Sequence, residues 1–167
     1  DAEGGPGYNR PDSSRKDNPM GITLKDIKKH PAVYAYIRMA DEYLTEVGYT
    51  EHSFVHVGKV AHDAADILRK TGHSERLAEL ASIAGYLHDI GNIVNRKDHE
   101  KSGALMVFTL LTNMGADPED IAVVVTAIGN HDEGSAAPVS EVSAALILAD
   151  KSDVRRSRVR NQETIAL

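Results

Sequence analysis

From about residue 23, Gly and Pro divide the chain into apolar-rich stretches of roughly 12 to 20 residues, in which apolar side chains recur every third or fourth position. This period and length predict helices, and no alternating run of β-branched residues argues for a strand. Thr23 can cap a short helix over 23–30, and Pro31 suits the first turn of the next, which should end near Gly48. The longer helices are expected at about 32–47, 53–71, 74–88, 99–113, 118–130 and 140–156. Ser74 and Glu75 open one of them, and Gly72 and Gly115 sit where two others would stop. The longest irregular connection, 91–98, lies between rigid helices, a common location for function.

Several polar residues fall on the apolar faces of these helices. His56 shares a stripe with Val60, Asp63 and Ile67, whereas His62 falls on a different face. His88 ends a helix whose inward face is Leu77, Leu80, Ala81, Ala84 and Leu87, and Asp89 follows it before a turn at Gly91. His99 opens the next helix on the face of Gly103, Met106 and Leu110. His131 ends the Val124 and Ile128 stripe, and Asp150 continues that of Ser143, Leu146 and Ile147. Taken singly, each has an ordinary explanation as a cap, a satisfied core imidazole or a carboxylate paired with a buried Arg. As a set facing one core, each would need its own partner, at a cost of about several kcal/mol for a buried carboxylate left alone. One shared metal site satisfies all of them. Imidazole and carboxylate without thiolate suit Mn, Fe, Co, Ni or Zn better than calcium, and magnesium is compatible with fewer protein ligands.

Composition narrows the picture. There is no Cys among the 167 residues, so disulfides, thiolate zinc sites, iron–sulfur ligation and a cysteine nucleophile are excluded. The longest apolar runs, at 121–128 and 142–149, fall short of the roughly 18 residues a membrane span needs, and the first residues show no secretion signal. A cytoplasmic protein is the expectation. A net charge of −6 argues against broad nucleic-acid binding. The local exception is the run Lys151, Arg155, Arg156, Arg158 and Arg160, which either meets an anionic substrate or forms a solvated helix face. Residues 1–20, rich in Gly, Pro, Asn, Asp and Ser, are expected as a loose tail because they lack the apolar content to offset ordering. The remainder, 21–167, is expected as one all-helical domain, large enough to bury a core unaided and without any visible repeat.

The order His56, then His88 and Asp89 within "YLHDIGN", then His99, His131 and Asp150 within "LADKSD", resembles the HD-domain metal-dependent phosphohydrolase superfamily over about residues 50–155. The resemblance implies a compact multi-helix bundle with a central metal site. It further implies that His56, His88, Asp89 and Asp150 bind one divalent ion, with Asp89 bridging to a second held by His99 and His131. In such a centre the ions activate a water for attack on the phosphate ester of a small molecule or nucleotide, with no side-chain nucleophile. Arg96, Lys97, Lys151 and Arg155 are the candidate phosphate-contacting cations, by their proximity in sequence to ligand positions.

One position departs from the pattern. Many signalling members carry Lys after "HDIG" and some nucleotidases carry Glu, whereas this chain has Asn92, which supplies neither a positive charge nor a general base. His52, one turn before His56, either faces the same cavity or neighbours the helix cap beside Glu51 and Ser53. Asp132 and Glu133 either brace ligand imidazoles or are plain loop acids. Two other functions stay open: a di-iron oxygenase, as in a minority of similar proteins with the same six ligands, and a nucleotide-sensing module without turnover.

Overall fold

A computed structural model describes residues 21–160 except 133 and 135; the tail expected over 1–20 and the candidate acid Glu133 lie outside the described residues. Seven α-helices and two short 3-10 turns account for the regular structure of the described residues. Thr23 and Asp26 close a reciprocal capping box on α1 (Leu24–Lys29), and Pro31 opens α2 (Pro31–Glu46), where its missing N–H costs nothing. Ser53 caps α3 (Phe54–Lys70), Ser74 caps α4 (Glu75–Leu87), Asp117 caps α6 (Pro118–Gly129) and Ser140 caps α7 (Glu141–Lys151). The helix α5 (His99–Met114) starts after Asp98, which adopts a left-handed backbone, and stops at the left-handed Gly115. Between α4 and α5 the chain makes a 3-10 turn, Ile90–Ile93, so the expected irregular connection is partly ordered.

The middle helix is α4, which packs against α1, α3, α6 and α7, while α5 lies on α6 and on the 3-10 turn. Its second half is buried at every position from Leu80 to Leu87, as a helix enclosed on all sides must be. Two glycines let backbones approach closely. A Cβ on Gly85 would stand 2.8 Å from Ala61 Cα and would push α3 and α4 apart, and a Cβ on Gly91 would collide with the His99 carbonyl. The first contact brings His56 and His88 side by side, and the second seats the turn after Asp89 on the start of α5.

Two expectations are corrected. The buried face of α3 is His56, Val57, Val60, Ala61, Ala64, Ala65 and Leu68; Asp63 and Ile67 lie at its margin, and Asp63 pairs with Lys59. The last helix ends at Lys151, short of 156. No Gly or Pro stops it. Asp153 instead turns inward onto His56, and Arg158 reaches back to the Glu51 carbonyl through a 3-10 turn, Arg156–Arg158, so that long-range contacts draw the chain off the helix axis.

Candidate metal centre

His56 stands in the first turn of α3, His88 and Asp89 follow α4, His99 opens α5, His131 follows α6, and Asp150 lies in the last turn of α7. These five elements converge on one point. The four imidazoles are 2% exposed or less, and Asp89 is 5% exposed.

The two oxygens of Asp89 face different neighbours. Oδ2 lies 3.0 Å from His88 Nε2 and 3.6 Å from His56 Nε2, and Asp150 Oδ1 lies 3.3 Å from His56 Nε2 and 3.6 Å from His88 Nε2. Oδ1 lies 3.5 Å from His99 Nε2, which is 3.3 Å from His131 Nε2. His88, His99 and His131 each donate from Nδ1 to a backbone carbonyl, of Gly85, Arg96 and Ile128. A carbonyl only accepts, so Nδ1 carries a proton and Nε2 is the atom turned to the centre.

This arrangement fits a metal. His56 Nε2, His88 Nε2 and Asp89 Oδ2 are buried without a hydrogen-bond partner, which is rare and costly for polar atoms. His99 and His131 bring two Nε2 atoms together with their Nδ1 protons committed elsewhere, an arrangement that a cation relieves. Two subsets, His56 with His88 and Asp150, and His88 with Asp89 and His131, have donor atoms close enough to share one ion. A third, His99 with Glu100 and Asp132, draws on the same His99.

Electrostatics separates the two sides. Burial alone would depress His88, but the negative charges of Asp89 and Asp150 beside its Nε2 outweigh it and raise the ring to about 10. Burial would lift Asp150 and Asp89; His56 and His88 reverse this and hold both carboxyls well below the usual range. His131 moves the other way, lowered to about 4 by burial and by the nearby His88, and His99 is lowered chiefly by burial.

A cavity of about 230 Å³ opens beside the centre, lined by Asp89, His99, His131 and Asp150 and by Tyr49, Thr50, His52, Arg96, Asp132, Lys151, Asp153, Val154 and Arg158. Of the four cations expected to contact phosphate, Arg96 and Lys151 line it. Arg96 Nη1 lies 3.3 Å from His99 Nε2 and 3.9 Å from Asp89 Oδ1, with its guanidinium over the Tyr49 ring. Lys151 Nζ lies 3.0 Å from Asp150 Oδ2. Lys97 does not reach the cavity: it is exposed, and its backbone N–H bonds Asn95 Oδ1 in the turn before Asp98. Arg155 is also turned away, held by Asp153 through bonds of 2.6 and 2.8 Å.

His52 takes the inward alternative. It is nearly buried, donates from Nδ1 to the Thr50 carbonyl, and holds Nε2 3.9 Å from Asp89 Oδ2. Asn92 is fully buried and donates to Asp89 Oδ1 and to the Asp89 carbonyl, both at 2.9 Å, so its neutral amide braces the carboxylate. Asp132 sits at the rim, 3.7 Å from Arg96 Nη2. Sequence reasoning missed Asp153, 2% exposed and 2.8 Å from His56 Nδ1, although its place one turn after Asp150 in "LADKSD" was a signal. Arg158, named in the sequence only as part of the basic run, lines the cavity, and nothing in the order of residues reveals its bonds to Glu51.

The chain has known relatives. Residues 53–155, more than half of the chain, match the family model described as HD domain. A crystal structure of a predicted HD superfamily hydrolase from an uncultured Thermotogales bacterium is similar with a TM-score of 0.56 and 27% identity. The similarity covers 72% of this chain and 65% of that one, so this chain spans less than two-thirds of that relative's length. No curated protein matches the chain.

Proposed function

This chain belongs to the HD domain family, and we propose that it is a metal-dependent phosphohydrolase acting on the phosphate ester of a small molecule or nucleotide. The observation that carries this reading is the trio of buried, unpartnered atoms His56 Nε2, His88 Nε2 and Asp89 Oδ2 beside a cation-lined cavity. The relative from the Thermotogales bacterium, described as a predicted HD superfamily hydrolase, supports the reaction class.

His56, His88, Asp89 and Asp150 would hold one divalent transition ion, and His99 and His131 a second across Asp89. When bound, such ions lower the pKa of a water and neutralise charge on a phosphoryl group. The chain's own residues do the rest. Asn92 holds Asp89 so that its two oxygens face the two imidazole groups. Arg96, 29% exposed and braced by Tyr49, presents a guanidinium to a phosphate in the cavity, which Lys151 also lines. Burial around the centre keeps these charges from being screened by water.

The test is phosphate release from a panel of nucleotides and sugar phosphates with Mn, Co, Ni or Mg, run beside Asp89→Ala. Turnover that depends on the metal and vanishes in the variant is expected. Turnover that survives in the variant, or silence across the panel together with oxygen consumption by iron-loaded protein, overturns the proposal and favours the di-iron oxygenase.

A further inference from the structure

His56 differs from the other three imidazoles in what holds its outer nitrogen. His88, His99 and His131 each donate from Nδ1 to the carbonyl three residues earlier. His56 lies inside the first turn of α3, and the carbonyl three residues before it, of Ser53, already accepts from Val57 N–H. The Nδ1 of His56 instead finds its acceptor 97 residues away: Asp153 Oδ2, at 2.8 Å.

That carboxylate is itself fixed. Its side chain is fully buried, Arg155 binds it through Nε and Nη2, and Arg158 donates to the Asp153 carbonyl at 2.9 Å. Arg158 also donates to the Glu51 carbonyl, and Glu51 N–H returns a bond to the Arg158 carbonyl, so the assembly is tied to the segment entering α3. The basic run after Lys151 is thus largely consumed within the molecule.

We propose that Asp153 is a positioning residue of the metal centre: its carboxylate fixes the His56 ring with the proton on Nδ1 and the Nε2 lone pair toward the metal, while Arg155 and Arg158 hold that carboxylate in place. Carboxylates behind metal-ligating imidazoles orient the ring, and losing one weakens metal binding by about 10–100-fold. The first metal position is in this way coupled to the chain beyond α7. The inference rests on the metal-binding reading above but not on the phosphohydrolase reaction.

The test is a competition between the full chain and a chromophoric chelator for Zn²⁺, comparing wild type with Asp153→Asn and checking helicity by circular dichroism. The expected result is helical protein with affinity about 10–100-fold weaker. Equal affinity in the two proteins overturns the role of Asp153, whereas a wild type that binds no Zn²⁺ overturns the metal reading and this inference with it. If the variant does not fold, nitrogen-15 spectra of the zinc-loaded wild type decide. A slowly exchanging proton on His56 Nδ1 supports the proposal, and a ring protonated on Nε2 or bound through Nδ1 overturns it.

Discussion

The two sides of Asp89 use the same residue types in unlike surroundings. On the Oδ2 side, His56, His88 and Asp150 come from the ends of α3, α4 and α7, and a second carboxylate, Asp153, braces His56 from behind. On the Oδ1 side, His99 and His131 come from helix ends beside the cavity, with Glu100 Oε2 3.6 Å from His99 Nδ1, Asp132 Oδ1 4.0 Å from His99 Nε2, and the Arg96 guanidinium next to them. On the first side Asp89 and Asp150 overcome burial and raise His88, whereas on the second burial, with His88 beside His131 and Arg96 beside His99, lowers both rings. The lesson is that imidazole count does not rank a site's affinity for a cation, because the groups behind the imidazoles decide. The first side should hold its ion tightly, and the second should exchange its ion and meet the substrate's phosphate.

The largest effect is expected where the two sides join. Asp89→Ala should lose both ions and all metal-dependent turnover, read by metal analysis and by phosphate release. His131→Ala should separate the sides, reducing bound metal from about two ions per chain to about one while the tighter ion stays. Loss of both ions would show that the sides are not independent.

Protons sharpen the comparison next. His88 is raised from 6.5 to about 10 in the metal-free protein, so the stability this proton contributes is fully present below about pH 6.5 and is lost as pH rises through about 10. At pH 7.5 the first ion should therefore displace at least one proton, from His88 and in part from the likewise raised His56, and the second essentially none, because His131 at about 4 and the lowered His99 are already deprotonated. Calorimetry in buffers of different ionisation enthalpy reads both, and equal release at the two steps would contradict the assignment.

Smaller effects concern the cavity wall. Arg96→Gln should raise KM about tenfold, the scale of a charge-assisted hydrogen bond, with the metal content unchanged. Lys97→Ala should leave KM within about twofold, since the side chain is exposed and away from the cavity.

Much of this arrangement was legible in the sequence because it is local. Helix starts followed from Thr23, Ser53, Ser74 and Pro118, and inward positions of His56, His99 and His131 followed from the period of the apolar residues around them. What was not legible is long-range. The end of α7 at Lys151 and the diversion of Arg155 depend on Asp153 meeting a ring 97 residues earlier, and no local propensity encodes that meeting. Lys97 and Arg96 are neighbours in sequence, and only the conformation of the turn before Asp98 decides which one reaches the cavity.

The most direct measurement is anomalous diffraction at the manganese edge from crystals of the full chain grown with Mn²⁺. The account predicts a peak bounded by His56, His88, Asp89 and Asp150, and a weaker one between Asp89, His99 and His131. Ordered manganese found elsewhere, with none within reach of Asp89, would contradict it.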